Sequence, residues 1–306
     1  MPELRRDIIS GKWSIVAVNR SMRPESFTEA RPGKVGRQIS DCPFCSGNEL
    51  QTPPELDAFR DDQSKPNSRG WNVRVVPNKY PAFTLDEVDD DNENFYQHHS
   101  ALGLHEVIIH NPVHDLSLGT MEVAGVTDVV KMYKRRYISA LKNSKVQSIT
   151  IIVNHGREAG ASIEHSHSQL FAIPQVPALL KSESNRLRAY YEKNGECLFC
   201  KVVKYEMKAA KRIVAENNRF IAFCPYASQT PFAIWLAPKA HFEAFELSDE
   251  ATLNDFASIL HSVLATINNK LHNPPYNYWL HSRPRGVENF HWHLEIAPKL
   301  AIQAGF

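Results

Sequence analysis

Two stretches of this chain carry the same side chains in the same order, and that repeat constrains the fold more than any other feature. The first stretch runs Cys42-Pro-Phe-Cys45, then His114, then His165-Ser-His167. The second runs Cys197-Leu-Phe-Cys200, then His241, then His291-Trp-His293. His114 and His165 are 51 residues apart, and His241 and His291 are 50 apart. Agreement in residue type, order and spacing between two otherwise dissimilar halves points to a duplicated unit. Each unit reads as a Cys pair, strands, a His, an amphipathic helix, a strand, a loop and a strand bearing His-x-His. At 306 residues the chain is long enough for two such units. The division is expected as an N-terminal half, 1–180, and a C-terminal half, 181–306.

The periodicities fill in each unit. Strands are expected at 13–18, 56–60, 71–76, 103–110, 147–153 and 170–173. In the second half they are expected at 216–223, 231–238, 276–281 and 291–296, from β-branched and aromatic runs. Apolar residues at helical spacing predict helices over 126–141 and 253–271, and the charged segment 181–196 reads as a connecting helix. Segment 24–39, rich in Pro and Gly, reads as a long loop, and the acidic run 86–94 as a solvated one.

Hydrophobic content of 42 % and charged content of 23 % are those of a soluble globular protein. Lys+Arg of 35 against Asp+Glu of 34 leaves +1, which gives no support to nucleic-acid binding through bulk charge. No apolar run approaches the ~20 residues of a membrane helix. The first residues have no apolar core of the secretory kind, so the cytoplasm is expected. There, Cys-x-x-Cys pairs suggest metal or redox chemistry rather than disulfides. Cys224 has no partner in the sequence and reads as a small apolar side chain.

Structural zinc takes four tetrahedral N and S ligands. The economical assignment is Cys42, Cys45, His114 and His165 in one site, with Cys197, Cys200, His241 and His291 in a second, hence two Zn2+ per chain. A strand sends alternate side chains to one face. His165, His167 and Gln169 therefore share a face, next to the metal. With His165 as a ligand, His167 is left free to bind a ligand or to attack phosphorus as a neutral imidazole. Gln169, Ser162 and the backbone N–H groups from Gly160 onward are candidate donors to a phosphoryl group. Arg20, Arg23 and Arg74 are candidate charge partners. In the second half His293 and Glu295 share a face, but no amide stands where Gln169 would correspond, which places the nucleophile in the first half.

Gly160-x-Ser162, His165-x-His167-x-Gln169, Cys42/Cys45/His114, Asn78-Lys-Tyr-Pro81 and Arg20-x-x-Arg23-Pro24 together resemble the galactose-1-phosphate uridylyltransferase family of the histidine-triad superfamily, over nearly the whole chain. The resemblance implies an α+β fold of duplicated histidine-triad-like halves, an open and mostly antiparallel sheet with flanking helices. It implies a ping-pong nucleotidyltransferase in which His167 takes a nucleoside monophosphate from a nucleoside diphosphate hexose, while Gln169 and Ser162 hold the phosphoryl oxygens. Hexose 1-phosphate or inorganic phosphate then accepts the nucleotide. It also implies that Asn78 and Asn154 contact substrate. Arg20 and Arg23 would reach into a neighbouring subunit's site, so a homodimer is expected. Ser166 replaces the proline usual in the uridylyltransferases. With the second zinc set, it resembles the plant-type branch that transfers AMP from ADP-glucose to phosphate. Gln303 to Phe306 fall where family members continue, so either the sequence is cut or the sugar pocket differs. The alternatives are a dinucleotide phosphorylase or hydrolase of the same superfamily, and a zinc-stapled binding module.

Overall fold

The computed structural model describes residues 3–16, 41–85 and 100–300. Arg20, Arg23, the loop 24–39, the acidic run 86–94 and the last residues of the chain lie outside them.

A short hairpin opens the chain: β1 (Glu3–Arg6) and β2 (Trp13–Val16). The first unit then supplies β3 (Asp57–Arg60), β4 (Trp71–Pro77), β5 (Leu104–Ile109), α1 (Val123–Leu141), β6 (Ser148–His155) and β7 (His167–Ile173). Two helices follow, α2 (Ala178–Asn194) and α3 (Leu198–Ala209). The second unit supplies β8 (Ile213–Glu216), β9 (Phe220–Phe223), β10 (Ile234–Pro238), α4 (Glu250–Lys270), β11 (Tyr276–His281) and β12 (His293–Pro298). The expected helices over 126–141 and 253–271 are α1 and α4, each with its apolar stripe buried. The charged segment expected as one helix is α2, and α2 begins at Ala178, so a division at 180/181 falls inside its first turn.

One expectation needs correction. The run 216–223 was expected as one strand, but it is a hairpin. Asn217 accepts the N–H groups of Arg219 and Phe220 on its side-chain oxygen and turns the chain between β8 and β9. The second Cys pair does not form a turn like the first: Cys197 caps α3, and Cys200 lies on its first turn.

One ten-stranded sheet holds both units, in the order β3-β4-β5-β7-β6-β11-β12-β10-β9-β8. Every pairing between these strands is antiparallel. The order reads outward from the centre as the same sequence of elements in either direction, so the duplication is a pseudo-two-fold about the β6–β11 seam. At that seam Tyr276 to His281 pair with His155 to Thr150.

Strand alternation sorts the two faces. Ile149, Ile151 and Val153 of β6, Leu170 and Ala172 of β7, Tyr276, Tyr278 and Leu280 of β11, and Leu294 and Ile296 of β12 pack in one core against α1 and α4. Burying each such side chain stabilises by about 1.5–3 kcal/mol. The opposite face carries His167 and Gln169 of β7, Asn154 of β6, Asn277 of β11 and His293 of β12. In the second half α2 and α3 cover it through Leu187, Leu198, Phe199 and Val203. In the first half the Cys42–Cys45 turn covers it, over Trp71, Val76, Val107 and Ile109.

Candidate active site

The first Cys pair and the ends of β5 and β7 meet. His165 Nδ1 lies 3.7 Å from Cys42 Sγ and 3.5 Å from Cys45 Sγ, and His114 Nδ1 lies 3.3 Å from Cys45 Sγ. His165 Nε2 is 2.8 Å from the carbonyl of Asn111. A carbonyl only accepts, so Nε2 carries the hydrogen and the Nδ1 lone pair faces the thiols. This is the orientation of a metal-bound imidazole held from behind by its other nitrogen. Burial and the neighbouring Cys42 push the Cys45 thiol up to about 12, so two thiolates there require a cation between them. The second group repeats the geometry. His291 Nδ1 is 3.9 Å from Cys197 Sγ and 3.4 Å from Cys200 Sγ, His241 Nδ1 is 3.5 Å from Cys200 Sγ, and His291 Nε2 is 3.0 Å from the carbonyl of Pro238. Each set holds its four donor atoms within 4.8 Å of one another. The first is buried throughout, whereas His241 is exposed. Both donor sets fit zinc.

His167 stands beside the first set, nearly buried, with the Phe44 ring edge-on at 5.1 Å between centroids. Its Nδ1 is 2.8 Å from the carbonyl of His165. By the same argument Nδ1–H donates there, and the Nε2 lone pair is left for chemistry. Burial lowers its pKa from 6.5, which keeps the ring neutral near pH 7. Behind the strand, Ser166 and Ser168 flank His167 on the other face. Ser166 Oγ is 2.8 Å from Nδ1 of the fully buried His110. Ser168 Oγ contacts His110 Nε2 and the hydroxyl of Tyr133. Tyr133 in turn meets Tyr278 of β11 at 2.6 Å. This polar network fixes the backbone that carries His167.

Gln169 Oε1 is 2.8 Å from Nε2 of His105, on β5. Asn78 Nδ2 is 3.0 Å from the same nitrogen. Asn154 Oδ1 accepts 2.7 Å from the Asn277 amide, which also donates to the carbonyl of Ala159. A strand of the second half therefore holds the loop of the first. That loop turns through Gly156 and Gly160 at φ of +82 and +90, a region that L side chains rarely adopt.

Two expected phosphate donors are corrected. The N–H groups of Gly160 and Ala161 donate to the carbonyls of Arg157 and Gly156, so backbone donors open to a ligand begin no earlier than the exposed Ser162. Arg74 is fully buried on the same face of the sheet as His167, opposite Ile109 of β5, but it is paired with Glu55 at 3.1 Å and bonded to Thr52, Asn67 and the carbonyl of Glu49. Its donors are engaged in tying that loop to the sheet.

The sequence profile described as galactose-1-phosphate uridyl transferase, N-terminal domain, matches residues 1–177, and one described as a domain of unknown function matches 115–306. The chain belongs to the galactose-1-phosphate uridyl transferase family. An ADP-glucose phosphorylase of Arabidopsis thaliana is 33 % identical over 313 residues, spanning 100 % of this chain and 86 % of that protein. A galactose-1-phosphate uridylyltransferase of Thermotoga maritima is 26 % identical over 305 residues, spanning 97 % and 87 %. The crystal structure of an ADP-glucose phosphorylase from Arabidopsis thaliana with bound ADP-glucose matches with a TM-score of 0.82 at 32 % identity, covering 100 % of this chain and 92 % of that one. A uridylyltransferase structure matches at 0.74 and 26 % identity, covering 97 % and 86 %. The chain is thus a nucleotidyltransferase of this family. No helix among the described residues is long and apolar enough to cross a membrane.

Sequence reading missed His105, His110 and a cluster in the second half. His105 lies on β5 and His110 directly follows it, and strand alternation alone does not say what either meets. Glu183 and His281 were also missed. They converge on His293 and Glu295, with Glu183 Oε2 at 3.1 Å from His281 Nδ1, His293 Nε2 at 3.5 Å from Glu295 Oε1, and the four donor atoms within 4.8 Å of one another. His293 Nε2 is buried without a hydrogen bond. Two imidazoles and two carboxylates are the donor set of a divalent-metal site.

Proposed function

We propose that this enzyme transfers AMP from ADP-glucose to inorganic phosphate through a covalent nucleotidyl-histidine on His167. The observation that carries the reading is the Nδ1–H of His167 held by the His165 carbonyl, because it leaves Nε2 as a neutral nucleophile. The Nε2 lone pair attacks the α-phosphorus. The P–N bond forms as the bond from that phosphorus to the bridging oxygen breaks, and glucose 1-phosphate leaves. A phosphate oxygen then attacks the same phosphorus and breaks the P–N bond, so ADP departs and the imidazole is neutral again. Gln169 and Ser162 donate to the nonbridging oxygens, and Asn78, Asn154 and the Gly160 turn shape the substrate side. Zinc at the two Cys2His2 sets staples the strands that carry these groups.

The choice of adenine is supported by the greater likeness to the ADP-glucose phosphorylase than to the uridylyltransferases, and by Ser166, which uses its hydroxyl on His110 as a proline could not. Transfer of UMP from UDP-glucose to galactose 1-phosphate is the second reading, favoured by the family profile over residues 1–177. We also propose a homodimer, completed by Arg20 and Arg23, working in the cytoplasm. Incubation with ADP-glucose and with UDP-glucose separately, followed by intact-mass measurement, tests the base. A mass gain of AMP is expected, and a UMP gain alone overturns the adenine assignment. His167→Gly is expected to form no adduct while keeping its zinc; an adduct on that variant overturns the nucleophile.

A further inference from the structure

Two hydrogen bonds around His105 fix where its proton sits. The backbone N–H of Ala82 points at His105 Nδ1 at 3.0 Å. An amide N–H only donates, so Nδ1 must present its lone pair. A neutral ring then has its hydrogen on Nε2. A doubly protonated ring would set Nδ1–H against the Ala82 N–H, and burial further disfavours the cation by lowering its pKa. The ring is also stacked on Phe171, centroids 4.3 Å apart, so it does not swing away.

The hydrogen on Nε2 goes to Gln169 Oε1 at 2.8 Å. That fixes which end of the Gln169 amide is which: the carbonyl faces His105, and the –NH2 faces away. Asn78 is fixed by a second backbone donor, because its Oδ1 accepts the N–H of Tyr80 at 2.8 Å. Its Nδ2 stands 3.0 Å from His105 Nε2, where neither nitrogen accepts, so the Asn78 hydrogens also turn elsewhere. Gln169, two residues from His167 on the same face of β7, and Asn78 are thus left with only amide hydrogens to offer a ligand.

We infer that His105 is a positioning residue: neutral and protonated on Nε2, it orients Gln169 so that the amide –NH2, together with that of Asn78, meets an anionic phosphoryl oxygen. This rests on the proposed attack by His167. Without His105 the Gln169 amide rotates freely between donor and acceptor orientations, and in the latter a carbonyl oxygen faces a phosphate.

The test measures single-turnover adduct formation on the full-length, zinc-loaded protein with saturating ADP-glucose, or with UDP-glucose should that be the donor used. His105→Phe keeps the stack and removes the hydrogen bond. Its rate is expected to fall by about 10- to 100-fold, with KM changed little. Gln169→Leu is expected to fall by a similar factor, and the double variant no further than Gln169→Leu alone. Multiplying losses would show that His105 acts independently of Gln169 and would overturn the inference, as would an unchanged His105→Phe rate. Should His105→Phe fail to fold, His105→Gln and His105→Met decide. They are alike in size but only Gln can donate, so Gln is expected to be at least about tenfold faster, and equal rates overturn the inference. No adduct on the unsubstituted protein removes the His167 reading and this inference with it. An adduct formed equally fast by every His105 variant removes the inference alone.

Discussion

Tyr133 and Tyr137 lie one helical turn apart on α1, are equally buried, and each lose one hydroxyl on substitution by Phe, yet the structure assigns them different costs. The Tyr137 hydroxyl donates 2.6 Å to the carbonyl of Ile149. Its loss is expected to cost about 1 kcal/mol, the net worth of one ordinary hydrogen bond. The Tyr133 hydroxyl joins Ser168 Oγ, His110 Nε2 at 3.1 Å and the Tyr278 hydroxyl at 2.6 Å. Removing it breaks all three contacts. Ser168 and His110 still have each other, but Tyr278 keeps a buried hydroxyl that has lost its 2.6 Å partner. A net bond or two at ~1 kcal/mol plus ~1–3 kcal/mol for the stranded hydroxyl gives about 2–4 kcal/mol. Urea unfolding of the zinc-loaded variants reads this as a midpoint shift at constant m. Tyr278→Phe in the Tyr133→Phe background should cost less than the sum of the two, because it removes the stranded group. Equal midpoints for Tyr133→Phe and Tyr137→Phe, or additive Tyr133 and Tyr278 effects, would refute the network reasoning.

Adduct formation should hold its plateau down to pH 6.5, where half of a free imidazole is protonated, because burial lowers the His167 pKa from that value. The rate should fall only at lower pH, as Nε2 binds a proton, and an apparent pKa at or above 6.5 contradicts the assignment. The same depression makes the neutral ring a source of stability that is present above pH 6.5 and lost as pH falls through the lowered value. Elemental analysis should find zinc at both Cys2His2 sets. A chelator should strip the second set first, since the His241 side chain is 40 % exposed while the first set is buried. Faster loss from the first set, identified with a Cys197→Ser variant, would contradict this. His114→Ala should cost more in folding than in chemistry, read as a lower unfolding midpoint with adduct formation retained in the folded fraction.

The fold was legible because duplication doubles every signal. The helices at 126–141 and 253–271 and the strands that bring the Cys and His residues together each appear twice at matched spacing. What stayed hidden depends on side-chain partners rather than on periodicity. The Asn217 turn that splits 216–223 is one polar residue inside a β-rich run. Cys197 and Cys42 open the same four-residue motif, but only the second copy is followed by a run, Leu198 to Ala209, that buries Leu198, Phe199 and Val203 as a helix. Arg74 looks like a phosphate ligand until Glu55 and Thr52, about twenty residues upstream, are placed around it. His105 on β5 and His110 just past its end look like any strand residues, and only the pairing of β5 with β7 brings them to Gln169 and Ser166.

The same helix supports placing the proposed nucleophile in the first half alone. His293 repeats the His167 arrangement, its Nδ1 held 3.0 Å from the His291 carbonyl. The space before its Nε2 differs. α3 begins directly after Cys197 and lays Phe199 against the ring at 4.7 Å between centroids, with His281 at 4.9 Å. Glu295 stands 3.5 Å from Nε2 where the first half has Gln169. A carboxylate there repels a phosphate that an amide would bind. In the first half Cys45 is followed by a turn and a single 3-10 turn, Glu49–Gln51, rather than an α-helix, and Phe44 meets His167 edge-on. The second half nonetheless serves the first. Tyr278 closes the network behind Ser168, and Asn277 holds Asn154 and the Ala159 carbonyl across the β6–β11 seam. Once one copy supplies the strand that fixes the other copy's loop, its own nucleophile position is free to become a buried two-histidine, two-carboxylate cluster.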